Sequence, residues 1–338
     1  MRKRARKPGI LSSNGSRSGT LSAPAPQAAK SMHTAAIIMS LSLSFGVGSP
    51  QRFEYSQLHM GVRVRVVLYA TGAEQAERAA HAAFTAFAEL DEVMSDYRRD
   101  SELNRLCDQA GGGAVAVSEH LYRVLERARE VARRTAGAFD PTAAPLVLLW
   151  REARRQGALP SEEALAQARS LVGWHLMLLD PKRRTVELLN AGMRLDLGGI
   201  AKGYACDQAL EALRREGVEC ALVEAGGDIA VGDPPPGSEG WVISVPHARE
   251  RQVLSRCGVS TSGADAQFVE IAGVRYSHIL DPRTGYGVTD ARTVSVIGAD
   301  AFTTDPIATA LCVLGERSVP SLEEWANVKV ISCRATAR

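Results

Sequence analysis

The chain has 338 residues, of which 45% are hydrophobic and 23% are charged, and its formal net charge is +2 at pH 7. These values are typical of a folded globular protein with ample core. The small net charge and the 5% aromatic content argue against a nucleic-acid partner, which would need a basic patch or stacking surfaces. The six cysteines form no CxxC pair, so most are expected to be small core residues rather than zinc ligands.

The first 50 residues are predicted to stand apart from the folded domain. Residues 1–31 are basic, rich in Ser, Gly and Pro, and without periodicity. Residues 34–47 form an apolar stretch of signal-peptide length that is too short to span a bilayer. We therefore expect a disordered basic tail plus a targeting segment over residues 1–50, and a single domain over residues 51–338. Export to the periplasm or cell envelope is expected in preference to a cytoplasmic location. No Cys directly follows the apolar stretch, so no attachment site for a lipid anchor is predicted there.

Hydrophobic periodicity predicts the elements of the first two hundred residues. Four helices are predicted: 74–97 from its apolar stripe, a short one from a cap at Asp100 or Ser101 to Leu106, one from the cap Ser118 to just before Gly137, and a surface helix over 161–172. Strands are predicted over 61–70, 175–180 and 185–189. The segment 138–150, which contains two prolines, is predicted to be a turn.

The second half of the chain mixes strands and helices without a strict βαβ repeat. A helix is predicted over Ala201–Arg215, and a last one from a cap at Thr303 or Thr304 to about Leu314. Apolar stretches bounded by turns predict a strand within 219–228 that ends in a Gly-Gly-Asp turn, and further strands over 240–246, 258–263, 267–280 and 293–298. This mixture predicts an α+β fold.

The stretch LDLGGIAKGYACDQAL, residues 195–210, places a strand end, a Gly-Gly turn and a helix start next to one another. The free backbone N–H groups of such a helix start can cradle a phosphate, and Lys202 would add a positive charge. Asp196 adds a carboxylate at the same turn. The spacing matches neither a P-loop nor GxGxxG, so a tight structural turn is the stronger interpretation of this stretch taken alone.

Asp305 and Thr309 lie four residues apart in TTDPIATALCVLG, residues 303–315. On a helix their oxygens face the same side, and a carboxylate with a hydroxyl near a helix start can hold Mg²⁺ together with waters and phosphate oxygens. Pro306 suits the first turn of such a helix. Taken alone, a capped helix whose apolar stripe simply packs is the favoured interpretation.

His278 occurs at a predicted strand end in YSHILDPRTG, residues 276–285. An imidazole at this place can act as an acid or a base, or contact a ligand, although a lone His is more often structural. The turn TSGAD, residues 261–265, is rich in hydroxyl groups and equally ambiguous. No GxSxG elbow occurs in the chain, which argues against a Ser/His/Asp triad.

The order of these motifs is more informative than any one of them. Met60-Gly61 is followed along the chain by MSDYRRDSELNRL, GAFDPTAAPL, LDLGGIAKGYACD, VEAGGDIAVG, STSGADAQF, YSHILDPRTG and TDPIATALCVLG. Taken together, the sequence resembles the ApbE family, the FAD:protein FMN transferases of the bacterial cell envelope. The resemblance covers about residues 57–316.

The resemblance implies an ApbE-type α+β fold, in which mixed or antiparallel sheets pack against helices around an elongated FAD cleft. It also implies Mg²⁺-dependent transfer of the FMN half of FAD to a Ser or Thr hydroxyl of a partner protein, with release of AMP. By position, the residues implied to contact FAD are Met60, Tyr97, Ala138, Phe139, Asp140, Asp196, Lys202, His278 and Ile279. The implied metal ligands are the side chains of Asp305 and Thr309 and the backbone carbonyl of Gly199.

The resemblance leaves part of the chemistry open. The group that takes the hydroxyl proton is Asp196, His278 or a metal-bound group. The same site would serve an Mg²⁺-dependent FAD diphosphatase that yields FMN and AMP, and a protein that binds FAD without turnover is a third hypothesis. The implied partner besides FAD is a flavin-accepting protein or domain, expected to be a membrane or exported redox subunit.

Overall fold

The computed structural model describes residues 49–248, 250–263, 267–290 and 292–335. The predicted basic tail and the apolar targeting segment lie outside the described residues, except for their last two positions. Their roles therefore stay predictions.

The described residues form eight α-helices: α1 Ala73–Met94, α2 Glu102–Cys107, α3 Glu119–Arg134, α4 Ala144–Gln156, α5 Glu162–Arg169, α6 Ala201–Arg215, α7 Ala301–Leu314 and α8 Val319–Ala326. Ser101, Ser118 and Ser161 cap α2, α3 and α5, and each side chain accepts a hydrogen bond from the backbone N–H three residues on. A serine oxygen at this position pairs an N–H group that the first turn leaves without a partner, and the caps predicted at Ser101 and Ser118 are confirmed. Within the described part of the chain, no helix combines the length and the apolar character needed to cross a membrane.

The strands of the described residues are β1 Gln51–His59, β2 Val62–Ala70, β3 Val115–Ala116, β4 Met177–Asp180, β5 Thr185–Leu188, β6 Ala221–Ala225, β7 Asp228–Val231, β8 Trp241–Ile243, β9 Gln252–Leu254, β10 Cys257–Gly263, β11 Phe268–Ile271, β12 Val274–Ser277, β13 Leu280–Asp281, β14 Tyr286–Gly287, β15 Arg292–Gly298 and β16 Lys329–Ala335. Seven of them form one antiparallel sheet in the order β1-β2-β6-β7-β10-β15-β16. A three-stranded sheet, β3-β5-β4, and the hairpins β8-β9, β11-β12 and β13-β14 complete the set.

The seven-stranded sheet is apolar on both faces, because alternate side chains of a strand point to opposite sides. One face, which includes Val66 and Val223, packs against α1, α6 and α7 in the main core. The other face, which includes Val67 and Leu222, is covered by β8 through Trp241. Helices on one face of an antiparallel sheet make an α+β fold, so the predicted class is confirmed.

Helix α7 begins earlier than the sequence pattern predicts. Its N-cap is Asp300, whose carboxylate accepts a hydrogen bond from Thr303 N at 2.7 Å, so the prediction of a cap at Thr303 or Thr304 is wrong. Pro306 is the sixth helical residue rather than a first-turn residue. A proline at that place cannot donate to the carbonyl of Phe302, four residues before it.

The segment 138–150 is only partly the predicted turn. Helix α4 begins at Ala144, and Pro145 lies in its first turn, where the missing N–H of proline costs no helical hydrogen bond. The prediction of a turn throughout the segment is therefore wrong.

Strands β1 and β16 are not among the predicted elements, although Phe53 and Tyr55 alternate with polar residues along β1.

Candidate functional site

A cleft of about 830 Å³ opens where turns and strand ends of the large sheet meet α4, α6 and α7. The sheet contributes the β1–β2 turn, the β6–β7 turn and the end of β10, and the segment around the β11–β12 hairpin closes another side. All of the predicted site residues line this one cleft: Met60, Tyr97, Ala138, Phe139, Asp140, Asp196, Gly199, Lys202, His278, Ile279, Asp305 and Thr309.

The Gly198–Gly199 turn packs directly against α7. A Cβ placed on Gly199 would lie 3.1 Å from Thr309 Oγ1 and 3.3 Å from the ring of Phe139, so glycine allows an approach that a side chain would crowd. Thr309 Oγ1 also lies 3.2 Å from Ser262 Oγ of β10, within hydrogen-bond reach. The turn, the Thr309 hydroxyl and the end of β10 therefore form one wall of the cleft.

Lys202 lies between two carboxylates. Its Nζ is 2.9 Å from Asp228 Oδ2 and 3.7 Å from Asp305 Oδ2, and it donates to the Gly198 carbonyl at 3.2 Å. Burial alone would lower the pKa of Lys202, but the two carboxylates outweigh burial and raise that pKa above its usual value. Burial, followed by the charge of Asp228, raises the pKa of the Asp305 carboxyl. The ammonium group therefore stays charged and partly neutralises this end of the cleft.

The oxygens around α7 can hold a hard divalent cation. Asp305 offers a carboxylate, Thr309 a hydroxyl and Gly199 a backbone carbonyl, all of which are oxygen donors that Mg²⁺ accepts. Because Gly199 has no side chain, the backbone of the turn lies close to the hydroxyl group of Thr309. Among the described residues, no group of three or more His, Cys, Asp and Glu side chains is arranged to bind a metal, and the donor set at α7 instead combines one carboxylate with a hydroxyl and a carbonyl.

Asp196 lies at the start of the same turn, where its Oδ1 accepts a hydrogen bond from Gly198 N at 2.7 Å. Burial, and then the nearby Asp96 carboxylate, raise the pKa of Asp196 against the opposing charges of Arg151 and Lys202. A carboxylate with a raised pKa is a better proton acceptor than an exposed one. Asp196 can therefore bind a ligand or take a proton.

The ring of His278, just after β12, is oriented by a backbone carbonyl. Its Nδ1–H donates to Gln267 O at 3.0 Å, and the backbone N–H of His278 donates to the same oxygen at 2.9 Å. Desolvation lowers the pKa of His278, so the ring is neutral near pH 7. In a neutral ring whose Nδ1 carries the proton, Nε2 is the acceptor, and this nitrogen can take a proton from a substrate.

Met60 and Tyr97 offer apolar surfaces to the cleft. Met60 and Gly61 form the two-residue turn between β1 and β2, with φ of 48° and 73°, and such a conformation is uncommon for a residue other than Gly, Asn or Asp. The side chain of Tyr97 is 77% exposed, and the Arg151 guanidinium lies 4.4 Å from the centroid of its ring. A thioether and an exposed ring suit contact with a flat ring system.

Asp140 lines the cleft, but its carboxylate is engaged by the surrounding loops. Its Oδ1 accepts hydrogen bonds from the backbone N–H and the hydroxyl of Thr142, at 2.9 and 2.6 Å. Its Oδ2 accepts one from Trp174 N at 2.9 Å. The side chain therefore fixes the shape of the loop that presents Ala138 and Phe139, which are both buried.

Three further residues of the site, Asp228, Ser262 and Arg151, are not predicted from the sequence. Asp228 ends the Gly-Gly-Asp motif after β6, and Ser262, which lies in β10, belongs to the hydroxyl-rich motif TSGAD, so both residues carry a sequence signal that is weak by itself. Arg151 carries no sequence signal, because only the tertiary fold brings α4 next to Asp96. Arg151 donates a hydrogen bond to the Asp96 carboxylate at 2.6 Å.

Comparison with known sequences identifies the family. A model of the ApbE family matches residues 60–332. The FAD:protein FMN transferase of Treponema pallidum (strain Nichols) is 34% identical over 315 residues, which cover 85% of this chain and 87% of that protein. The FAD:protein FMN transferase of Vibrio cholerae serotype O1 is 31% identical over 253 residues, which cover 72% of this chain and 75% of that protein.

Solved structures agree with this fold. The apo form of the Pseudomonas stutzeri flavinyl transferase ApbE matches with a TM-score of 0.74 at 27% identity, and the match covers 83% of this chain and 90% of that one. The ApbE protein of Thermotoga maritima matches with a TM-score of 0.73 at 30% identity, and covers 85% of this chain and 97% of that one. The predicted fold and the resemblance are both confirmed: the chain belongs to the ApbE family.

Proposed function

We propose that this protein is an Mg²⁺-dependent FAD:protein FMN transferase that attaches the FMN half of FAD to a Ser or Thr hydroxyl of a partner protein and releases AMP. As a member of the ApbE family it is a transferase enzyme, and curated relatives carry the name FAD:protein FMN transferase. The observation that carries the proposal is one cleft in which the oxygens of Asp305 and Thr309 meet the Gly198–Gly199 turn, Asp196 and His278.

The transfer requires attack by a hydroxyl oxygen on the phosphorus of the FMN half. A phosphate ester forms, the phosphoanhydride bond breaks, and AMP leaves with the electron pair. Mg²⁺, when bound, neutralises the charge of the diphosphate and stabilises the leaving phosphate. The side chains of Asp305 and Thr309 and the carbonyl of Gly199 would hold the ion.

Other residues of the cleft supply binding and a proton acceptor. Lys202 adds a positive charge for the diphosphate and is held in place by Asp228, and the start of α6 adds the positive end of a helix dipole. His278 is the favoured acceptor of the hydroxyl proton, because its Nδ1 donates to Gln267 and leaves Nε2 as the acceptor. Asp196 is the alternative acceptor.

The acceptor is proposed to be a protein or domain that presents a Ser or Thr to this cleft. We propose an exported or membrane redox subunit as the acceptor, and export of this protein as its route to the same compartment. The support for export is the apolar stretch at residues 34–47, which has the length of a signal peptide.

The proposal is tested by incubating the protein with FAD, Mg²⁺ and a flavin-accepting domain. The readouts are flavin fluorescence of the acceptor band in a denaturing gel and the amount of free AMP. A fluorescent acceptor with an equal amount of AMP is the expected result. FMN and AMP without a labelled acceptor would identify a diphosphatase instead, and FAD that is bound but unchanged would identify a binding protein.

A further inference from the structure

Helices α6 and α7 cross with their first turns in contact. A Cβ on Gly203 would lie 2.2 Å from Ala301 O and 2.8 Å from Asp305 Cβ, so the crossing leaves no room for a side chain. The first turn of a helix carries unpaired N–H groups and a partial positive charge. The crossing therefore brings together two helix starts of like charge, and acceptors are needed for their N–H groups.

Each helix supplies a carboxylate that pairs with the start of the other. Asp305 on α7 accepts a hydrogen bond from Gly203 N, in the first turn of α6, at 3.0 Å. Asp207 on α6 accepts hydrogen bonds from the first two N–H groups of α7, from Ala301 at 3.1 Å and from Phe302 at 2.8 Å. This reciprocal capping fixes the position of α7 relative to α6.

The relative position of the two helices matters because the proposed metal ligands come from both. The carbonyl of Gly199 belongs to the turn that leads into α6, whereas Asp305 and Thr309 lie on α7. Asp300 also caps α7, through Thr303 N, but it belongs to the same segment and moves with that helix. Asp207 instead ties the start of α7 to α6.

We infer that Asp207 is a positioning residue that sets the distance between the Gly199 carbonyl and the Asp305 and Thr309 side chains. It is absent from the lining of the cleft among the described residues, so it acts through the helix that it holds. The inference rests on the proposed function, because it takes the metal role of Asp305 and Thr309 from there.

The test compares Asp207→Asn with a matched control, Asp180→Asn. Asp180 accepts two backbone hydrogen bonds, from Lys182 and Arg183 in the turn between β4 and β5, so its variant weakens the same kind of contact away from α6 and α7. Each protein is titrated with Mg²⁺ at saturating FAD and acceptor. Hydrogen exchange of the N–H groups at residues 299–310 is measured on the metal-free proteins.

The Asp207→Asn variant is expected to need about ten-fold more Mg²⁺ for half-maximal transfer, as is usual when a residue that orients metal ligands is lost. The N–H groups of Ala301 and Phe302 should exchange faster, and FAD binding without Mg²⁺ should stay within about two-fold. Asp207→Glu keeps two acceptor oxygens and should restore part of the Mg²⁺ affinity. The Asp180→Asn variant should change neither readout.

An unchanged Mg²⁺ requirement in folded Asp207→Asn, or an equal rise in Asp180→Asn, would overturn the inference. If Asp207→Asn does not fold, Asp207→Glu is measured in its place; a smaller shift is then expected, and an unchanged Mg²⁺ requirement would again overturn the inference. A parent protein that transfers no FMN at any Mg²⁺ concentration contradicts the proposed function instead. In that case the hydrogen exchange of the Ala301 and Phe302 N–H groups is the measurement that tests whether Asp207 holds α7.

Discussion

Met60 lines the cleft in a backbone conformation that does not favour the stability of the fold. It holds a left-handed backbone conformation, with φ of 48°, in a hairpin turn that would suit Asn or Gly better. Ala272, with φ of 51°, occupies the same place in the turn between β11 and β12. The two turns therefore offer a matched pair, of which only the first lines the cleft.

Replacement of Met60 by Asn is expected to weaken FAD binding about ten-fold, because the apolar contact of the side chain is lost. The free energy of unfolding should stay within about 1 kcal/mol, since relief of the left-handed strain offsets the lost packing. Ala272→Asn should raise stability slightly and leave FAD binding unchanged. Denaturant unfolding and a flavin fluorescence titration measure both quantities, and unchanged FAD affinity in Met60→Asn would argue against its role.

The proton acceptor can be identified from the pH dependence of transfer. Desolvation lowers the pKa of His278, so its ring stays neutral and able to accept a proton down to below about pH 6.5. At saturating Mg²⁺, which keeps the Asp305 carboxylate deprotonated, the value of kcat/KM should therefore fall only below that pH, and the acidic limb should disappear in a slower His278→Asn variant. An acidic limb that persists in this variant would contradict the role of His278 and leave a carboxyl group, Asp196 or Asp305, as its source.

At the scale of elements, the crossing of α6 and α7 depends on the missing side chain of Gly203. Gly203→Ala is expected to lower the free energy of unfolding by about 2 kcal/mol or more, because the methyl group would overlap the backbone of Ala301. Gly72, just before α1, has no atom within 4 Å of an added Cβ and an extended backbone. Gly72→Ala should change stability by less than about 0.5 kcal/mol. Equal urea midpoints for the two variants would show that the crossing is looser than described.

The elements also show what local sequence can predict. The bounds of α6 agree with prediction, because its apolar stripe and the Gly-Gly turn before it are both local signals. The start of α7 does not agree with prediction, because Asp300 is a stronger N-cap than threonine. The hydroxyl group of Thr304, one of the two predicted caps, instead forms a hydrogen bond with Ser260 of β10. A hydrogen bond between residues so far apart in the chain cannot be predicted from the spacing of neighbouring residues.

At the scale of the whole molecule, the cleft forms because turns at the end of an antiparallel sheet meet the starts of packed helices. The α+β class follows from the mixture of elements, but the strand order β1-β2-β6-β7-β10-β15-β16 does not, because it depends on pairings between distant segments. The site residues are predicted through the order of several motifs. The contacts that fix them, such as that of Asp228 with Lys202 and that of Asp207 with the start of α7, become visible only in the folded chain.

The proposed role of this cleft is the transfer of FMN from FAD to a protein hydroxyl with the help of a metal held by α7. It is tested by mapping the labelled peptide of an acceptor domain by mass spectrometry after incubation with FAD and either the parent protein or Asp305→Ala, with Mg²⁺ or with EDTA. FMN on a Ser or Thr is expected with the parent and Mg²⁺, and labelling should fall at least about 100-fold in Asp305→Ala or in EDTA. Equal labelling by Asp305→Ala, or by the parent in EDTA, would contradict this role.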